Sequence, residues 1–301
     1  MMPWINKWLR VSRCNFLPTS LLPYSVGSVC AIPEGRFTAF PFLLGLIGTA
    51  LVHLAANLFN EYWDDRFLAD HPEGEYRPHF GGSKAIQSGL VSPPAVHRAA
   101  WACLAAAVLL GLLLSLSLQS VLLMILVLAG AFIAWAYTAP PFSFAYCGLG
   151  EISLLIAFGP LLVLGGFLLQ TGIITAWVLL LSLTPGFLIA AVLIANEFGD
   201  AATDGRAGKR NLAVRSGPRR TFAAYRVCLV CSYAPPLGGV LSGVYPVPLL
   251  AVLAAVPLAL TADRLLGKAV KNGFGFSASS ARTIHLYLAF HFLLIGGIIL
   301  S

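Results

Sequence analysis

The sequence predicts an all-α polytopic membrane protein: one domain over 1–301, with nine transmembrane helices in two pseudo-repeated four-helix halves, about 1–150 and 151–301, plus a ninth helix. Three observations carry this expectation. Hydrophobic residues make up 58% of the chain and charged residues only 10%, against about a quarter charged in soluble domains, and mean hydropathy is +0.84. Apolar runs of about 20 residues, enough to cross roughly 30 Å of hydrocarbon as a helix, recur along the whole chain. Finally, Asn60-Glu61-Tyr62-Trp63-Asp64 is echoed 136 positions later by Asn196-Glu197-Phe198-Gly199-Asp200, and downstream Ala85-Ile86-Gln87-Ser88-Gly89 is answered by Ala213-Val214-Arg215-Ser216-Gly217. An echo offset by four helices points to two related halves with a ligand site between them.

The first segment, 16–34, follows Lys7, Arg10 and Arg13 but is long, contains Pro18 and Pro23 and lacks a cleavage site, so it reads as a helix and not a signal peptide. The second, 38–60, ends on the first acidic motif. The third and fourth, 98–117 and 119–138, lead to a short connection flanked by Tyr137 and Tyr146. The fifth, 151–170, opens with Glu151 after Gly148-Leu149-Gly150, and the sixth, 174–196, ends on the second motif. The seventh, 222–243, holds Cys228 and Cys231, a Cys-x-x-Cys with no second pair, which reads as two small hydrophobes. The eighth and ninth, 246–265 and 283–300, complete the set.

Charge placement orients these helices. With the N-terminus cytoplasmic, eighteen of the nineteen lysines and arginines share one face and only Arg36 lies opposite, which the positive-inside rule assigns to the cytoplasm. Eleven of the twelve acidic residues lie on that face too, Glu34 being the exception. The net charge of +7 therefore reads as topology and anion binding, not as an affinity for nucleic acid. The cytoplasmic connections after the second and sixth helices are rich in Gly and basic residues, through Gly81-Gly82-Ser83-Lys84 and Gly205-Arg206-Ala207-Gly208-Lys209-Arg210.

On a helix, Asn57, Asn60, Glu61 and Asp64 fall within about 100° of arc, and Asn196, Asp200 and Asp204 do likewise. Each set can converge on one cavity. Carboxylates alone would repel a phosphate, but carboxylates holding Mg²⁺ bind one well, with cations taking up the remaining charge. Lys84, Lys209, Arg210 and Arg215 in the adjoining loops supply those cations. The combination fits a diphosphate leaving group whose departure leaves an electron-poor fragment, and an apolar bundle beneath a polar lid shields that fragment from water. An isoprenoid tail would lie in the same apolar groove. Tyr137 and Tyr146 are placed to face the cation or orient a ring. His53, one turn inside Asn57, and Glu151 are candidates to bind the acceptor or act as a base.

Taken together, these motifs resemble the UbiA superfamily of membrane prenyltransferases, and the resemblance spans the chain. Within it the sequence is most similar to the 1,4-dihydroxy-2-naphthoate polyprenyltransferases of menaquinone synthesis. That similarity runs through Leu17-Pro18-Thr19-Ser20-Leu21-Leu22-Pro23, Val26-Gly27, Asn60 with Asp64 and Asp70, Tyr137-Thr138-Ala139-Pro140-Pro141, Tyr146-Cys147-Gly148-Leu149-Gly150-Glu151 and Gly208-Lys209-Arg210-Asn211-Leu212-Ala213-Val214-Arg215. Glu61, Asn211 and Cys147 depart from the usual residues of that branch. The resemblance implies nine helices and an Mg²⁺-dependent enzyme, two ions bridging the diphosphate, that transfers a polyprenyl group to 1,4-dihydroxy-2-naphthoate with decarboxylation. It implies metal ligation by Asp64, Asp70, Asp200 and Asp204, with Asn57, Asn60, Glu61 and Asn196 assisting, and phosphate contacts from Lys84, Lys209 and Arg215. It also implies a lipid-embedded enzyme of a prokaryotic plasma membrane.

Three alternatives remain open. Another acceptor such as 4-hydroxybenzoate would keep the reaction type. A CDP-alcohol phosphotransferase would explain Asp204-Gly205-Arg206 but not the spacing of Asp200 and Asp204. A transporter would explain repeated halves, yet the acidic motifs sit at helix ends and not at mid-membrane.

Overall fold

The computed structural model describes residues 3–69 and 82–301, and every regular element among them is helical. The main helices are α1 (Pro3–Val11), α2 (Pro18–Val29), α3 (Ala39–Arg66), α4 (Pro93–Ser117), α5 (Val121–Ala136), α6 (Gly150–Thr171), α7 (Ala176–Arg206), α8 (Leu212–Leu241), α9 (Val247–Asn272) and α10 (Phe276–Ile299), with single helical turns at Cys14–Phe16 and Phe144–Cys147. Each of the nine expected segments falls on one of α2 to α10. Among the described residues, six of these helices, α3, α4, α6, α7, α9 and α10, are long and apolar enough to cross a membrane.

Local chemistry accounts for several boundaries. Pro18 and Pro93 open α2 and α4, where a missing N–H costs no helical bond. Ser120 caps α5 by accepting from Leu123 N at 3.2 Å, and Asn211 caps α8 by accepting from Val214 N at 3.0 Å. Pro160 sits within a π-helical turn, Ala157–Leu161, in the middle of α6. Gly217, with φ at 71°, breaks α8 one and a half turns after its start.

Three features differ from the sequence expectation. Helices α3 and α7 run six and ten residues beyond their apolar stretches, to Arg66 and Arg206, because the polar residues there still find partners on a helical face. Helix α8 begins at Leu212, ahead of its apolar run. Helix α1 was not expected at all: its apolar and basic residues alternate at helical spacing, so no continuous apolar stretch announces it.

Two cores form. One joins α3, α4 and α5 through Ala55, Leu58, Phe59, Val96, Ala100 and Ala131. The other joins α2 to α6, α7, α8, α9 and α10 through Val26, Val163, Leu188, Tyr225, Leu249 and Phe290. Helix α2 thus packs with the second half of the chain, and small residues permit it: a Cβ at Gly27 would collide with the Val163 carbonyl, and one at Gly166 with the Tyr24 carbonyl. The seam between the two cores holds the site.

Candidate active site

The polar ends of α3 and α7 meet across that seam. Asn57, Asn60 and Asp64 follow at spacings of three and four residues, as Asn196, Asp200 and Asp204 do at four, so each set shares one helical face. All six side chains border a single cavity of about 860 Å³. Both helices had to extend past their apolar runs for Asp64, Asp200 and Asp204 to stand on the same faces as the asparagines.

One lysine links the acidic ends of α3 and α7. Asp64 accepts a hydrogen bond from the Tyr146 hydroxyl at 2.6 Å and one from Lys209 Nζ at 3.1 Å. The same ammonium lies 3.4 Å from Asp204 Oδ1, and Asn211 Nδ2 donates to Asp204 Oδ2 at 2.8 Å. Lys209 also stands 5.1 Å from the centre of the Tyr146 ring. Asp64 and Asp204 are buried, so a cation between them is the condition for both to remain charged.

Not every expected residue faces this cavity. Glu61, expected among the metal ligands, is wholly buried away from it, and accepts hydrogen bonds from the Ser83 hydroxyl, Ser83 N at 3.0 Å and Ala85 N at 3.4 Å. One residue beyond Asn60, it is turned about 100° toward the loop. Glu151, expected at the acceptor, accepts from Leu212 N at 2.6 Å and borders a separate cleft of about 290 Å³ with Arg215. Arg215 donates to the Gly148 carbonyl at 3.2 Å. Neither Arg215 nor Arg210 lines the main cavity, because the turn opening α8 aims them away from it. Tyr146 contacts Asp64 from behind the cavity wall. Asp70 lies outside the described residues.

The echo in sequence has a counterpart in geometry. Glu61 holds Ala85 N, and Glu197, its partner in the second motif, holds Ala213 N at 3.3 Å. Ala85 and Ala213 are themselves echo partners. Four residues on, Gly89 and Gly217 both adopt left-handed backbone, with φ at 69° and 71°, a conformation that glycine takes without steric cost. In both places a buried glutamate anchors a short turn that ends on a left-handed glycine.

Of the charged and amide side chains that line the cavity, sequence reasoning overlooked four: Arg13, Glu197, Arg206 and Asn211. Arg13 donates to Asn60 Oδ1 at 3.4 Å, although 47 residues of sequence separate them. Its distinguishing mark is conformational. Arg13 and Lys84, two basic residues at the cavity mouth, both have positive φ, 51° and 57°, which costs a non-glycine residue about 1–2 kcal/mol and clusters at functional sites. Arg206 and Asn211 stand within the basic loop already singled out, which was their only signal.

Away from the mouth the lining becomes apolar, with Leu110, Leu126, Val127 and Leu162 on the walls and Tyr24 and Leu169 at the far end. Tyr137 borders the transition. His53 lies deeper, 8% exposed, with Nε2 lacking a partner and its ring edge-on to Phe158 in the π-helical turn. Asn196 Oδ1 is likewise buried without a partner. Among the described residues no His, Cys, Asp or Glu cluster forms a ready-made metal cage. The donors nevertheless fit Mg²⁺, which uses one or two carboxylates together with substrate phosphates, and the unsatisfied Asn196 oxygen beside Asp200 is of the right kind. The arrangement can hold a charged head at the mouth and an extended apolar chain below it.

Comparison with known proteins agrees with this geometry. Residues 20–273 match the UbiA prenyltransferase family. The chain is 32% identical over 262 residues to the 1,4-dihydroxy-2-naphthoate octaprenyltransferase of Mycobacterium tuberculosis, covering 85% of this chain and 84% of the relative. It is 28% identical over 248 residues to the enzyme of the same name from Bacillus subtilis, covering 82% and 78%. Among solved structures, a UbiA homolog from Archaeoglobus fulgidus bound to GPP and Mg²⁺ shares the fold, with a TM-score of 0.66 at 18% identity over 96% of this chain and 99% of that one.

Proposed function

The chain belongs to the UbiA prenyltransferase family, and from that membership we propose that it transfers a polyprenyl group from its diphosphate to 1,4-dihydroxy-2-naphthoate, with loss of the carboxyl group. Enzymes of that name are among its relatives in two bacteria, at 28% and 32% identity. The observation that carries the reading is the junction of the acidic ends of α3 and α7, Asp64 and Asp204, at Lys209, at the polar mouth of one long apolar cavity.

Each part of that cavity has a task. Mg²⁺, held by Asp64, Asp200, Asp204 and Asn196, would neutralise charge developing on the diphosphate as it leaves. Lys84, Lys209, Arg13 and Arg206 border the same mouth and bind the phosphate oxygens, each charge-assisted hydrogen bond being roughly twice as strong as a neutral one. Lys209 exchanges its carboxylate partners for phosphate as the donor arrives. The prenyl tail lies along the apolar walls, which keep water from the electron-poor carbon once its bond to oxygen breaks. Tyr137 presents its ring at the boundary, where a π face stabilises positive charge.

His53 and Asn57 stand on the α3 side of the cavity, and His53 Nε2 needs a partner. It orients the acceptor by a hydrogen bond to a hydroxyl or carboxylate oxygen. The electron-rich ring attacks, a carbon–carbon bond forms, and the carboxyl group leaves as CO₂ while its bonding pair restores the aromatic ring. No protein nucleophile is needed.

We read α2 to α10 as nine spans of one domain in a prokaryotic plasma membrane, with the N-terminus and the cavity mouth cytoplasmic, a reading that the placement of the basic residues supports. Helix α1 then lies along the cytoplasmic interface. The deciding experiment incubates purified protein with Mg²⁺, a panel of prenyl diphosphates and several aromatic acids, with products read by mass spectrometry. A prenylated, decarboxylated naphthalenediol is expected. A product from 4-hydroxybenzoate alone would change the acceptor, and no prenylated product would overturn the reading.

A further inference from the structure

A glycine inside a helix lowers its stability relative to alanine, because the unfolded backbone is freer and no side chain packs. Several glycines in these helices have an evident reason to be there: a Cβ at Gly27, Gly159, Gly166 or Gly186 would strike the backbone of a neighbouring helix. Gly48, Gly130 and Gly165 have no such reason. A Cβ at Gly130 or Gly165 meets nothing within 4 Å, and one at Gly48 meets only Leu110 Cδ2 at 3.8 Å. None of the three has positive φ. Gly238 and Gly296 are equally open, but they do not border the cavity; Gly48, Gly130 and Gly165 do, from three different helices.

The cavity they border also contains the buried, unpartnered His53 Nε2, an independent sign that a ligand fills it. We propose that Gly48, Gly130 and Gly165 set the bore of the tail channel and so determine which donor lengths the enzyme accepts. This rests on the donor being a polyprenyl diphosphate. With a helical rise of about 1.5 Å per residue, Gly130 stands about 10 Å below Tyr137, Gly165 about 21 Å below Glu151 and Gly48 about 24 Å below Asp64. The three bare backbone patches therefore lie at graded depths, one shallow and two deep. Each leaves room for the methyl branches of an isoprenoid chain where any side chain would narrow the passage. Beyond them, Gly45 packs on Tyr24 and Leu169, and the Tyr24 hydroxyl donates to the Phe42 carbonyl at 2.9 Å.

The test compares wild type with Gly48→Leu, Gly165→Leu and Gly130→Leu, and with alanine at each position, using geranyl and octaprenyl diphosphates. It measures kcat/KM for each donor together with the thermal midpoint in detergent. In Gly48→Leu and Gly165→Leu the ratio of long-donor to short-donor kcat/KM is expected to fall by about 10- to 100-fold, the range for a filled apolar pocket. Gly130→Leu, nearer the mouth, is expected to lower both donors. The alanine variants are expected to shift the ratio less while raising the thermal midpoint. An unchanged ratio in Gly48→Leu and Gly165→Leu, at a wild-type midpoint, overturns the gauge and leaves the proposed function standing. Wild type that consumes neither donor overturns both.

Discussion

Lys209 places its ammonium 3.1 Å from Asp64 Oδ2 across 145 positions of sequence, so a loop residue of the second half neutralises a carboxylate of the first. The same group reaches Asp204 at 3.4 Å. A buried carboxylate pair is tolerated only with a cation between its members, and a cation that can be exchanged for another is what a diphosphate-metal complex requires. Replacing Lys209 with Ala is therefore expected to raise KM for the prenyl diphosphate by about ten- to a hundredfold, the worth of one charge-assisted bond. Steady-state kinetics with the donor varied will measure it; a KM equal to wild type would remove Lys209 from the donor site.

Asp64 and Asp200 end the two motifs on opposite walls of the cavity. Alanine at either is expected to reduce turnover by at least about 10²-fold, as loss of a principal electrostatic group does. Product formation by mass spectrometry is the readout, and full activity in both variants would sink the diphosphate-clamp assignment.

Glu61 offers the contrasting case. Because it is fully buried and holds Ser83 and Ala85, Glu61→Ala is expected to destabilise the protein by about 1–3 kcal/mol through unsatisfied backbone donors. The apparent Mg²⁺ requirement of the folded fraction is expected to stay as in wild type. A magnesium titration of activity run beside thermal melts distinguishes the outcomes: a weakened magnesium response at unchanged stability would return Glu61 to the metal.

His53→Leu removes the unpartnered Nε2 while keeping bulk against Phe158. KM for the aromatic acceptor is expected to rise by about tenfold, the value of one hydrogen bond, with KM for the donor little altered. A rise confined to the donor would move His53 from the acceptor to the tail channel.

Chelation supplies a further check. Excess EDTA is expected to stop turnover, and added Mg²⁺ to restore it, because the carboxylates otherwise repel the diphosphate. Turnover undiminished by EDTA would refute metal dependence.

Much of this was legible along the chain. Apolar length announced α2 to α10, and the positions of Asp64, Asp200, Asp204, Asn57, Asn60 and Asn196 followed from spacing on a helix. Lys84 and Lys209 were expected at the phosphate and do border the cavity. Arg210 and Arg215, from the same basic run, do not, because Arg210 stands in the irregular turn before α8 and Arg215, in the first turn of that helix, donates to the Gly148 carbonyl. Helix α1 escaped notice because amphipathic spacing leaves no apolar run.

What the sequence by itself determined was the apolar helices α2 to α10 and the two acidic motifs, since hydropathy and helical period are local properties. Only the tertiary structure decided which groups work together. Side-chain partners depend on where chain segments cross: α3 meets the loop after α7 and so joins Asp64 to Lys209, the chain after α3 and the start of α8 fold back so that Glu61 and Glu197 anchor Ala85 and Ala213, and the turn before α2 brings Arg13 to Asn60. The channel was likewise invisible beforehand. A glycine in a sequence reads the same whether a neighbouring backbone or an open cavity faces it, and only packing distinguishes Gly27 against Val163 from Gly165 beside empty space.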